Sequence, residues 1–127
     1  MTPRRILVVE DTPLNMKLVR EVLQFKGYHV LEATSGEEGL RIAETDPPDL
    51  ILMDLQLPGM DGYETLRRLR ESALAPDVKV VAVTAFAMAE DRARVAAAGF
   101  DGYVEKPISV RALPGQIEAF LDQGVAR

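Results

Sequence analysis

Short apolar runs rich in β-branched residues alternate with helical patterns five times along this chain, and that alternation restricts it to one class of fold. The first run, Arg5–Glu10, leads to Thr12 and Pro13, an N-cap followed by proline at the first helical position. Leu18, Val19, Val22 and Leu23 then form one apolar helical face, and Gly27 supplies the left-handed residue after the helix. His29–Ala33 reads as a second strand. Ser35-Gly36-Glu37-Glu38 has capping-box spacing and opens a helix to about Thr45, which Pro47-Pro48 ends. Asp49–Asp54 is the third strand, and Leu55–Asp61, with Pro58-Gly59, is a loop. Asp61 caps a helix over Gly62–Glu71 whose Leu66 and Leu69 face inward. Val78–Thr84 is nearly continuous in apolar residues, as a central parallel strand should be. Met88–Ala98 is an alanine-rich helix ended by Gly99, Asp101–Val104 a fifth strand, and a last helix runs to about Asp122.

Such alternation predicts an α/β fold with a parallel sheet covered on both faces. All 127 residues fit one domain, with a core over about 4–123, a frayed Gly124–Arg127 and no room for a second domain. Every strand of a parallel sheet ends at the same edge, and ligands bind there, at the topological switch point. In this chain those ends are charged. Glu10 and Asp11 follow the first strand, Asp54 ends the third, Thr84 ends the fourth and Lys106 follows the fifth.

Three carboxylates gathered at one edge repel each other, so they call for a cation among them. Oxygen donors without histidine or cysteine point to Mg²⁺, which keeps several waters and commonly coordinates phosphate. Lys106 adds a mobile positive charge for a phosphate oxygen, and the Thr84 hydroxyl a hydrogen bond. Metal, lysine and hydroxyl together are equipment for phosphoryl transfer. With no nucleotide-binding loop in the chain, the natural acceptor is one of the carboxylates, giving an acyl phosphate.

Composition removes the competitors. There are no cysteines, so disulfides, thiolate metal sites and cysteine nucleophiles are excluded. A net charge of −5 argues against nucleic acid as the main partner. The apolar run after Met1-Thr2-Pro3-Arg4-Arg5 is too short for a signal segment or a membrane span, so a cytoplasmic protein is expected.

Four segments carry a family resemblance: Val9-Glu10-Asp11, Leu52 to Gly62 (LMDLQLPGMDG), Val83-Thr84-Ala85 and Glu105-Lys106-Pro107. At these spacings the chain resembles a response-regulator receiver domain of two-component signalling, the CheY-like type of the flavodoxin-like fold, over essentially its whole length. The resemblance implies a doubly wound five-stranded parallel sheet in the order 2-1-3-4-5 with five helices. It implies Asp54 as phospho-acceptor, and Mg²⁺ held by Glu10, Asp11, Asp54 and the backbone carbonyl of Gln56. Thr84 and Lys106 would contact the phosphoryl group, and the Lys106-Pro107 bond would be cis. Tyr103 matches the family's aromatic switch, which turns inward as the threonine moves toward the phosphate. The implied donors are a sensor histidine kinase or a histidine phosphotransfer protein. The implied output is a downstream protein bound through the last two helices and strand 5.

Two departures bear on the subtype. Pro114-Gly115 falls a few residues after the expected cap, Ser109, so the last helix should start late or kink. Lys106-Pro107-Ile108 lacks the phenylalanine and acidic-leucine pattern of DNA-binding regulators that dimerise through this face. Together with Thr84-Ala85-Phe86-Ala87-Met88, it resembles stand-alone regulators of the DivK type and receivers of hybrid kinases. Met1 and the short tail favour a complete protein over a receiver excised from a hybrid kinase. An aspartate-based phosphatase would place a second acid where Gln56 stands. A flavin module would need a Thr/Ser/Gly-rich loop in place of Glu10-Asp11-Thr12-Pro13.

Several residues have plainer readings. Tyr103 competes with a packing role in a short edge strand, Asp61 is a cap, and Asp49 a solubilising residue at a strand start. His29, the single histidine, lies away from the site and is structural or superficial. Phe86 and Met88 divide evenly between core and partner surface.

Overall fold

The computed structural model describes residues 3–72, 78–85 and 88–123. Ten elements alternate: β1 (Arg5–Val9), α1 (Pro13–Phe25), β2 (His29–Ala33), α2 (Gly36–Thr45), β3 (Leu50–Asp54), α3 (Gly62–Glu71), β4 (Lys79–Thr84), α4 (Ala89–Ala98), β5 (Gly102–Glu105) and α5 (Leu113–Asp122). The strands form one sheet in the order β2-β1-β3-β4-β5, all pairs parallel. The expected topology is therefore borne out. No helix among the described residues is long and apolar enough to cross a membrane.

Alternation along the strands divides the core into two layers. Leu7, Val9, Ile51, Met53, Val80 and Ala82 face α2, α3 and α4, which bring Ala43, Leu66, Leu69 and Val95. Ile6, Val8, Leu50, Leu52, Val81 and Val83 face α1 and α5, which bring Met16, Val19, Leu23, Leu113 and Ile117. β3 is buried at every position, as a central strand flanked on both faces must be.

Local signals set most helix ends. Ser35 Oγ accepts from the Glu38 N–H, and Asp61 Oδ1 accepts from the Glu64 N–H. Gly27 and Gly99 adopt positive φ after α1 and α4, where a side chain would be strained.

Several expectations are refined. Leu18 is exposed and Met16 is buried, so the face of α1 that packs on the sheet is the Met16–Val19–Leu23 stripe. Thr12 is the N-cap of α1 but makes no side-chain cap bond; its own N–H donates to Glu10 Oε2 instead. α5 starts late, as the proline led one to expect, at Leu113 with Pro114 in its first turn, whereas Ser109, expected as its cap, instead caps the preceding turn through the Ala112 N–H. Asp49 is more than a solubiliser, since its Oδ2 accepts the Arg5 N–H at 2.7 Å. Met88 is surface, 69% exposed, while Phe86 and Gly124–Arg127 lie outside the described residues.

Long polar side chains close the amino edge of the sheet. Arg70 of α3 donates to the Val78 carbonyl at 2.6 Å and meets Asp101 at 3.2 Å. Asp101 in turn accepts the Val80 N–H at 2.8 Å. Lys79 donates to the carbonyls of Phe120 at 2.8 Å, Leu121 at 2.9 Å and Gln123, neutralising the last turn of α5.

At the carboxyl edge, α3 begins hard against the end of β3. A Cβ on Gly62 would stand 2.7 Å from the Asp54 carbonyl oxygen and 2.9 Å from Leu55 Cα, both backbone atoms that cannot swing aside. Gly62→Ala should cost about 1–3 kcal/mol of stability. Urea unfolding measures the loss, and an unchanged midpoint would show that the helix is not seated so tightly.

Candidate phosphoryl-transfer site

β1 and β3 are neighbours, yet the chain leaves β1 toward β2 on one side and returns across it to β3 on the other. That reversal opens a crevice at their carboxyl ends. Glu10 and Asp11 stand at one lip and Asp54 at the other. The Glu10 N–H continues the ladder by donating to the Ala33 carbonyl at 3.0 Å, so its position is fixed by the sheet. One carboxylate oxygen from each of Glu10, Asp11 and Asp54 lies within 4.8 Å of the others.

Glu10 and Asp54 are each only 3% exposed, whereas Asp11 opens to solvent. Lys106 is the cation that meets them. Its Nζ lies 2.9 Å from Asp54 Oδ2 and 3.7 Å from the nearer oxygen of Glu10. The Lys106 N–H donates to the Thr84 carbonyl at 2.8 Å, which ties the lysine to the end of β4, and the Lys106-Pro107 bond is cis. Asp54 Oδ1 accepts the Gln56 N–H at 3.0 Å, so both oxygens of that carboxylate are engaged.

The remaining expected residues surround this cluster. Thr84 is buried at the end of β4, one strand from Asp54. Tyr103 is half-buried in β5, and its hydroxyl accepts from Arg92 Nη1 at 3.2 Å. His29 is exposed at the start of edge strand β2. A groove of about 390 Å³ lined by Asn15, Leu18, Ala85, Lys106, Pro107 and Ile108 opens beside the ammonium. Reasoning from sequence missed Arg92, because nothing local marks an exposed arginine on α4 as the partner of a tyrosine in β5. It also missed Arg94, whose guanidinium lies 4.3 Å from the centre of the Tyr63 ring.

Electrostatics agree with the geometry. Burial pushes the Glu10 carboxyl up from its ordinary value; the Thr12 N–H opposes this and the charge of Asp54 adds to it. For Lys106, burial alone would lower the ammonium, but the Asp54 hydrogen bond and the charges of Asp54, Glu10 and Asp11 together raise it. The donor set consists of hard oxygens on three acids, with nitrogen and sulfur ligands absent from the cluster. It fits a hard divalent cation such as Mg²⁺.

A family model described as the response regulator receiver domain matches residues 6–118. The chain belongs to the response regulator receiver family. The polar-differentiation response regulator DivK of Brucella anthropi is 40% identical over 119 residues, 94% of this chain and 97% of the relative. A putative response regulator from Chloroflexus aurantiacus superposes with a TM-score of 0.89 at 30% identity, covering 96% of this chain and all of the other. The receiver domain of a Pseudomonas aeruginosa sensor histidine kinase, with a magnesium ion coordinated in its active-site cleft, gives a TM-score of 0.87 at 33% identity, covering 96% and 100% of the two chains. Receiver domains interact with histidine kinases or phosphotransfer proteins and with downstream targets, and this one is DivK-like.

A carboxyl whose folded value is raised binds its proton more tightly in the folded state. Ionised Glu10 therefore costs stability at neutral pH, and the cost fades as pH falls through the raised value toward 4.5. In Mg²⁺-free buffer Glu10→Gln should be more stable than wild type at pH 7, and the gain should shrink toward pH 4.5. Urea melts at the two pH values test this; equal or lower stability of the variant at pH 7 contradicts it.

Proposed function

We propose that this receiver acts as a DivK-type response regulator in a cytoplasmic phosphorelay, with Asp54 as its phospho-acceptor. The observation that carries the reading is the Lys106 ammonium 2.9 Å from a buried Asp54 carboxylate, beside two further acids. A nucleophile held by a cation, next to a cation-binding acid cluster, is suited to receiving a negatively charged group.

Glu10, Asp11, Asp54 and the backbone carbonyl of Gln56 would hold Mg²⁺. The bound ion supplies charge neutralisation for the incoming phosphoryl oxygens. The donor is a phosphohistidine on a kinase or phosphotransfer protein, approaching over the groove beside Lys106. One Asp54 oxygen bonds to phosphorus as the P–N bond of the donor breaks. The electron pair of that bond stays on the imidazole nitrogen, which takes up a proton from water. Lys106 then contacts the phosphoryl oxygens, and the Thr84 hydroxyl donates to another.

The product is an acyl phosphate on the protein itself, so the outcome is a changed surface and not a released molecule. Tyr103 would turn inward as Thr84 moves, and α4, β5 and α5 would present the result to a downstream protein. Gln56 stands where an aspartate-based phosphatase would carry its second acid, which disfavours turnover of a separate substrate.

Incubation with acetyl phosphate and Mg²⁺ followed by intact-mass measurement tests the acceptor. Wild type should gain one phosphoryl group and Asp54→Asn none; equal labelling of both, or of neither, would sink the proposal. Mg²⁺ at ten times its dissociation constant should stabilise the protein by about 1.4 kcal/mol. Thermal melts should show that shift in wild type and a much smaller one in Asp11→Asn, whose exposed position leaves the fold intact.

A further inference from the structure

Ala82 pairs with Tyr103, and Thr84 with Glu105, in the β4–β5 register. Since side chains alternate faces along a strand, Ala82, Thr84 and Tyr103 share the face beneath α4. The residue opposite the tyrosine is thus a small one. A cavity of about 200 Å³, whose lining includes Thr84, Arg94 and Val95, lies on this side of the sheet, one strand over from the ring. There is free volume inward, yet the ring stays half-exposed.

What holds it there is on α4. The Tyr103 hydroxyl accepts from Arg92 Nη1 at 3.2 Å. Among the described residues that hydroxyl is the one side-chain hydrogen-bond partner of Arg92, and the charge of Glu105 also acts on the guanidinium. Of the ten residues of α4 only Val95 is buried, so the helix carrying the arginine is itself lightly anchored.

We infer that Arg92 is a positioning residue: it latches Tyr103 in the half-exposed rotamer and thereby sets the fraction of the protein ready to accept a phosphoryl group at Asp54. The inference rests on the proposed switch role of Tyr103. Turning the ring inward sacrifices the Arg92 bond, and an exposed hydrogen bond of this kind shifts a two-state equilibrium by about twofold to tenfold. The reactive fraction, and with it the phosphorylation rate, scales by the same factor.

The experiment uses the full chain and two readouts. Ring ¹³C relaxation dispersion of Tyr103, assigned by its loss in Tyr103→Phe, measures the minor inward population without any phosphodonor. Arg92→Ala should raise that population about twofold to tenfold, and Arg92→Lys, which keeps a cationic donor, should fall between. An Arg92→Ala population equal to wild type overturns the latch. The second readout is the rate of phosphorylation by acetyl phosphate with Mg²⁺. Arg92→Ala and Tyr103→Phe should each be faster than wild type, and the double variant no faster than either. Tyr103→Phe keeps the arginine charge, which separates the latch from attraction of an anionic donor. Independent, multiplying effects of the two substitutions also overturn the latch. If no form takes up a phosphoryl group, the Asp54 reading fails, and the ring populations still decide the role of Arg92.

Discussion

The structure turns on a charge imbalance that parallel strands make unavoidable. Because β1 and β3 run side by side and end at one edge, acids far apart in the chain converge on a single crevice. Glu10 and Asp54 are then nearly removed from water with like charges facing each other, an arrangement that costs stability unless a cation intervenes. Lys106 provides one from beyond β5, and its backbone bond to Thr84 couples that charge to the end of β4. The components that relieve the repulsion are the same ones that would receive a phosphoryl group. Folding and the proposed chemistry are therefore hard to separate at this edge, where the fold tolerates close like charges.

Much of this was legible in the residues alone, for reasons that can be located. The strands announced themselves by apolar runs bounded by Gly, Pro and acids, and the charged residues ending those runs marked the crevice. Helix ends were readable where a cap is local, as at Ser35 and Asp61. The misreadings share a different physics. On α1 the period admits both Leu18 and Met16, and only the packing of the helix on the sheet decides which is buried. Ser109 had the chemistry of a cap, but Pro114 delays the helix past it. Arg70 with Asp101, Lys79 with the end of α5, and Arg92 with Tyr103 are contacts between flexible polar side chains on separate elements. No periodicity encodes such pairs, so they emerge only once the sheet has placed the elements.

The helices around the sheet are not equally committed to it. α3 buries Leu66 and Leu69 and abuts the backbone of Asp54 at Gly62. α4 offers a single buried valine among exposed alanines and charges. Weakly packed elements are the ones that open and shift first. The face lying against Tyr103 is thus the part of the molecule best able to rearrange without disturbing the crevice.

Lys79 draws a different boundary. By gripping the last carbonyls of α5 from the first residue of β4, it fixes where the chain emerges after Asp122: at the amino edge of the sheet, opposite Asp54. A fluorescent reporter or affinity handle grafted after this helix would sit a full strand length from the chemistry and leave the crevice clear. The carboxyl end of α5 is thus a sound attachment point for biosensors built on this scaffold.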